Sequence, residues 1–108
     1  TLTLTGCMSD CPKSPTGIAV DGGDNLWVAD VQNNAVYKIN TSGSVMEMIG
    51  SPTNTNCNVG ESTAASAARF NQPTDVAVDA FGNVYVADQL LSYIRKITNG
   101  GEVQRYAG

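Results

Sequence analysis

The sequence predicts an all-β chain: two four-stranded antiparallel propeller blades, preceded by an N-terminal outer strand. Three observations carry that prediction. Residues 15–50 and 73–108 align without a gap at an offset of 58 residues, Pro15 onto Pro73. Each copy is broken about every ten residues by Gly, Asn, Asp or Ser, the spacing of antiparallel meanders. The first two strands of each copy are apolar on both faces, so both faces need cover.

The two copies agree at Pro15/Pro73, Thr16/Thr74, Ala19/Ala77, Val20/Val78, Asp21/Asp79, Asn25/Asn83, Val28/Val86, Ala29/Ala87 and Asp30/Asp88. They agree again at Lys38/Lys96, Ile39/Ile97, Gly43/Gly101, Val45/Val103 and Gly50/Gly108. The first strand is Ile18–Val20 (Val76–Val78), ended by an Asp and a Gly-containing turn. The second is Leu26–Ala29 (Val84–Ala87), ended by Asp30 or Asp88. The third is Val36–Ile39 (Ile94–Ile97) and the fourth Val45–Ile49 (Val103–Ala107). Turn residues fill the breaks: Gly22–Asn25, Gln32–Asn34, Asn40–Gly43 and Asn99–Gly101. Leu26 and Val28 point one way, and Trp27 and Ala29 the other. The third strand carries Lys38 or Lys96. The fourth carries Glu47, or Glu102, Gln104 and Arg105. Burial is therefore expected to decline from the first strand to the fourth. A sheet with an apolar inner edge, a polar outer edge and two covered faces is a propeller blade, its faces covered by neighbours on a ring.

The pattern P-x-G-(I/V)-A-V-D-x-x-G-N-(L/V)-(W/Y)-V-A-D, then (V/I)-x-K-I, G-x-V and a closing Gly, resembles the NHL repeat. The run Ala67–Pro73 is similar to the frequent lead-in of that family, A-x-F-x-x-P. The resemblance covers about two-thirds of the chain and implies a β-propeller. Asp75 stands where the family usually has Gly, and the first turn reads Gly23-Asp24-Asn25. The usual Asn-Asn-Arg after the second strand is Asn33-Asn34-Ala35 in copy one and Leu91-Ser92-Tyr93 in copy two.

The remaining segments fall around the blades. Thr1–Gly6 alternates strictly and reads as the outer strand of a preceding blade whose other strands are not in the sequence. The chain starts without Met, so a mature product or an excised piece is expected. Residues 7–14 form a connector that carries Cys7 and Cys11. Residues 51–72 form a longer one, with Cys57, a short helical turn expected over Ser62–Phe70, and Phe70 as its anchor on the ring. Cysteines in polar loops favour disulfides and an oxidising compartment. The expected disulfide is Cys7–Cys11, or one of these with Cys57, with one thiol left over; the alternative is three reduced thiols.

Composition excludes much chemistry. The 108 residues are 42% apolar and 15% charged, against roughly 45–50% and about 25% in an average globular chain. The sequence has no His, which removes imidazole acid–base catalysis and imidazole metal sites. The net charge is −4, and Lys13, Lys38, Arg69, Arg95, Lys96 and Arg105 are scattered, so no nucleic-acid partner is expected. No apolar run reaches the ~20 residues of a membrane span.

Asp21, Asp30, Asp79 and Asp88 are candidates for chemistry, yet each recurs in both copies, as a turn requirement does and a catalytic site does not. They are read as structural turn residues. Asp24 has no acidic counterpart, since Gly82 replaces it. Trp27 and Tyr85 share one blade position and are read as packing between blades. Tyr37 and Tyr93 are placed nearer the exterior, as surface-contact candidates. Asn40-Thr41-Ser42 fits the N-glycosylation acceptor pattern in an exposed turn. The expectation is a non-enzymatic scaffold, extracellular or at the cell surface, without metal or cofactor. It would work through protein–protein contacts with further blades of the same longer chain or of identical chains, the latter as a homo-oligomer or polymer. The alternatives are a ligand- or glycan-binding sensor propeller and a piece of a propeller lyase or lactonase.

Overall fold

The computed structural model describes residues 14–50, 62–64, 70–89 and 93–107. They form two antiparallel sheets. The first has the order β1 (Pro15–Val20), β2 (Leu26–Asp30), β3 (Ala35–Ile39) and β4 (Val45–Gly50). The second contains β6 (Pro73–Val78), β7 (Val84–Asp88), β8 (Tyr93–Ile97) and β9 (Glu102–Ala107), with β5 (Ser62–Ala64) added outside β9. No helix occurs among the described residues.

The repeat is reproduced at the level of register. Val20 pairs with Leu26, and Val78 with Val84; Trp27 pairs with Lys38, and Tyr85 with Lys96. Both inner strands slip register at the same place, between Pro15 and Gly17 and between Pro73 and Asp75. At that slip the hydroxyl of Thr16 reaches the Ala29 carbonyl at 3.5 Å, and that of Thr74 the Ala87 carbonyl at 3.5 Å. The β1–β2 turn needs one residue with positive φ. Asp24 supplies it at 66°, and Gly82 supplies it in copy two at 85°. Asp tolerates this region and Gly enters it freely, which is why these two residues exchange.

Cross-strand partners share a face, so register assigns the faces. One face of the first sheet presents Ala19, Trp27, Ala29, Val36 and Ile49. It packs on the face of the second sheet that presents Val76, Val78, Val84, Val86, Ile97 and Val103, with Phe70 in the same core. Contact runs from β1 and β2 to β6. The strands approach closely at Gly17, where a Cβ would lie 2.6 Å from the Cα of Asp75. A side chain is therefore excluded at residue 17, while Asp75 is exposed and the equivalent site in copy two accepts one. The opposite face of the first sheet holds a second cluster, Val28, Ala35, Tyr37 and Ile39, with Leu26, Val45 and Met48 at its margin.

Three expectations are corrected. Ser62–Ala64, expected to begin a helical turn, is a strand antiparallel to β9, with Ser62 opposite Gln104. The edge hydrogen bonds of β9 give this short segment partners that a single isolated turn lacks. Burial does not decline from the first strand: β2 and β3 are the buried strands, and β1 leaves Ile18 and Val20 at 63% and 56% exposure. One face of β1 lies on β6, and the face bearing Ile18 and Val20 has no sheet against it among the described residues. Tyr37, expected on the exterior, is fully buried. It shares a face with Ile18 and Val28 through register, and its hydroxyl accepts a hydrogen bond from the Asn33 amide at 2.8 Å.

Candidate functional site

The four repeated aspartates separate into two kinds of site. Asp21 and Asp79 end the inner strands and organise the following turn. The Asp21 carboxylate accepts from the Gly23 and Asn25 N–H groups, the Asn25 amide and the Trp27 indole N–H, at 2.8–3.3 Å. Asp79 accepts from the Phe81 and Asn83 N–H groups, the Asn83 amide and the Tyr85 hydroxyl, at 2.8–3.1 Å. Desolvation works to raise the Asp79 pKa, but the donors from Asn83, Phe81 and Tyr85 outweigh it and hold the carboxyl at about 2, against an ordinary 3.8. Asp21 is lowered by the same balance, with Trp27 its chief hydrogen-bond donor. Tyr85 is raised, first by desolvation, then by its hydrogen bond to Asp79 and by that carboxylate's charge. The indole and the phenol are thus interchangeable donors at one repeat position.

Asp30 and Asp88 end the second strands and are buried. Asp30 accepts from the N–H groups of Ser14, Gln32 and Asn33 at 3.1–3.2 Å. Asp88 accepts from the Asn71 N–H and faces Arg95 Nη1 at 3.4 Å, with Arg95 itself 1% exposed. The Arg95 guanidinium also lies over the Phe70 ring, 5.3 Å from its centroid. Arg95 occupies in copy two the place of Tyr37 in copy one. The sequence reading did not anticipate this buried pair. Among the described residues no group of three or more His, Cys, Asp or Glu is placed to hold a metal.

The faces carry a second recurring feature. The Lys38 ammonium lies over the Trp27 ring at 5.4 Å, and that of Lys96 lies 5.8 Å from both Tyr85 and Tyr106. Tyr85 and Tyr106 meet edge to face at 5.0 Å. Lys38, Trp27, Glu47, Asp21 and Asn99 line a cleft of about 330 Å³ between the two sheets, at the end bearing the β1–β2 and β8–β9 turns. The sheets are tied further by Gln72 N–H donating to Asn34 Oδ1 at 2.9 Å and by the Thr16 hydroxyl at 3.4 Å from the Pro73 carbonyl.

Equivalent positions differ in cover. Val36 is fully buried, whereas Ile94 is 37% exposed; Val76 is 6% exposed, whereas Ile18 is 63% exposed. Tyr106 is 61% exposed on the same side as Tyr85. Each sheet buries one face against its neighbour, and the remaining two faces are repeat-related copies of the pair already in contact. Tyr93 is half-buried at the start of β8, and Asn40 is half-buried in the β3–β4 turn. Cys7, Cys11, Cys57 and the expected strand at residues 1–6 lie outside the described residues.

Comparison with known proteins agrees with this geometry. Residues 13–38 match the NHL repeat. The chain is 31% identical over 87 residues to teneurin-4 of Homo sapiens, a match covering 70% of this chain and 3% of that protein. It is 33% identical over 76 residues to a probable peptidyl-alpha-hydroxyglycine alpha-amidating lyase of Caenorhabditis elegans, covering 68% of this chain and 19% of that one. The chain thus spans a small part of the length of these relatives. A solved protein of unknown function from Bacteroides thetaiotaomicron superposes with a TM-score of 0.68 at 31% identity, over 79% of this chain and 21% of that one. The virginiamycin B lyase of Staphylococcus aureus shares the fold, with a TM-score of 0.63 at 19% identity over 94% of this chain and 29% of that one. One copy matches the NHL repeat directly and the other reproduces its strands, register and turn carboxylates, so the two sheets are NHL-type β-propeller blades.

Proposed function

We propose that this chain is a non-enzymatic scaffold segment that works by stacking blade faces against further NHL-like blades, of the same longer chain or of identical chains, outside the cell. One observation carries the reading: Ile18 and Ile94 are exposed at repeat positions where Val76 and Val36 are buried. The contact between the two sheets is a template for the contacts that would cover the other two faces. Exposed apolar patches of this kind mark protein–protein surfaces; on the first sheet the patch is the β1 margin, beside the buried Val28, Tyr37 and Ile39. The non-catalytic part of the reading is supported by the repeated aspartates, whose oxygens are engaged by turn and strand-end donors. The extracellular part is supported by Cys7, Cys11 and Cys57, which the sequence sets in stretches rich in Ser, Thr, Asn, Pro and Gly.

The test is the native mass of the 108-residue chain as a function of concentration. Association is expected, and three copies would close a ring of about six blades, within the range of known propellers. The Ile18→Lys variant is expected to reduce association strongly, because a charge would be buried in the new contact. A folded wild-type chain that stays monomeric at high concentration would overturn the reading. A second reading, part of a propeller lyase, draws on the 33% identity to the nematode lyase. Turnover of a peptidyl-α-hydroxyglycine substrate by the chain would select it.

A further inference from the structure

We propose that Asn40 is an N-linked glycan acceptor. The triplet Asn40-Thr41-Ser42 has the acceptor composition, and no other Asn-x-Ser/Thr triplet occurs in the chain. The structure places it in the β3–β4 turn, with Thr41 and Ser42 exposed. The Asn40 Oδ1 accepts from the Ser42 N–H at 3.0 Å and from the Ser44 N–H at 2.9 Å. Both neighbours are donors, so the atom facing them is the oxygen and the amide orientation is fixed by chemistry. This bonding brings the hydroxyl residue of the triplet back onto the asparagine side chain. It leaves Nδ2 without an acceptor among the described residues. By contrast, Asn25, Asn33, Asn83 and Asn99 all donate from Nδ2, to Asp21, Tyr37, Asp79 and the Phe81 carbonyl.

The second copy supplies a control. Thr98 stands in place of Asn40, and its hydroxyl accepts the Glu102 N–H at 3.0 Å. The turn therefore needs an oxygen acceptor at this position and does not need an amide nitrogen. Asn40 meets the structural need with Oδ1 and leaves Nδ2 for chemistry. In the transfer, Nδ2 attacks the anomeric carbon of a lipid-pyrophosphate-linked oligosaccharide. The C–N bond forms as the bond to pyrophosphate oxygen breaks, the Nδ2 proton passes to a base of the transferring enzyme, and the lipid pyrophosphate leaves. The acceptor role is independent of whether the blade faces bind other blades.

The test is secretion of the chain from a eukaryotic host behind a cleavable secretion signal, read by intact mass and by peptide-N-glycosidase treatment. The expected result is a single carbohydrate increment that the glycosidase removes, turning the Asn40 side chain into a carboxylate. The increment should be lost in Ser42→Ala, which keeps the Ser42 N–H, and in Asn40→Thr, which copies the Thr98 turn and so preserves folding. A folded, secreted wild-type chain of unmodified mass would overturn the proposal. So would an increment that persists in Ser42→Ala.

Discussion

Asp79 shows how a single carboxylate organises a turn. Its four donors come from Phe81 and Asn83 in the turn and from Tyr85 in the next strand. All of them favour the ionised form, so the folded pKa lies near 2, against an ordinary 3.8. Between those values the unfolded chain binds a proton that the folded chain does not. The stabilisation is full above about pH 4 and is lost as pH falls toward 2. The thermal unfolding midpoint of the wild type should therefore drop on acidification through this window. The Asp79→Asn variant should start lower and drop less, because its amide has no proton to gain. A variant whose midpoint falls as steeply as the wild type's would show that Asp79 does not carry the acid sensitivity. Asp21 acts in the same direction, and Asp21→Asn should also flatten the profile.

At the scale of elements, β7 and β8 pair Asp88 with Arg95 where β2 and β3 carry Asp30 and Tyr37. Asp88 and Arg95 are both buried, with Arg95 pressed on Phe70 between the sheets. In the first blade no cation stands there: Asp30 accepts from the Ser14, Gln32 and Asn33 N–H groups, and Tyr37 accepts from the Asn33 amide. Removing one member of a buried pair leaves the other desolvated, at a cost of about 3–5 kcal/mol. Arg95→Ala should lose about that much in denaturant unfolding, and the double variant Asp88→Asn, Arg95→Met should recover part of it. A loss under about 1 kcal/mol in the single variant would mean that water reaches the pair. The sequence pattern did not give this layer away. In Tyr-Ile-Arg-Lys-Ile two cations stand side by side, and alternation says that they face opposite ways without saying which way is inward. Tyr37 was misread for the same reason. The strand Ser62–Ala64 was hidden differently: Ser-Thr-Ala has no apolar alternation, and its partner β9 lies at the other end of the chain. What the repeat did expose was everything encoded twice, namely the four strands and the Asp-to-Asn turn; the lead-in Phe70, present once, was marked by its likeness to the A-x-F-x-x-P pattern and is fully buried in the core between the blades.

At the scale of the molecule, the two exposed apolar patches differ in kind, and that difference decides how copies can join. One presents Ile18 and Val20 on β1; the other presents Ile94, Tyr85 and Tyr106 on the second blade. The internal contact joins a face of the Trp27 kind to a face of the Val76 kind, not like to like. Association that follows this template is head to tail, which closes a ring or runs on as a chain. Two variants can separate this from pairing of identical faces. Ile18→Lys blocks the first face and Ile94→Lys blocks the second. Each variant alone should be monomeric, since every copy lacks the same half of the contact. Mixed, they should form a one-to-one dimer and grow no further, because the open face of one meets the open face of the other and both ends are then blocked. Analytical ultracentrifugation of the two variants, separately and mixed, reads this directly. A stable dimer of either variant alone would mean that like faces pair, and the internal contact would then not be the template.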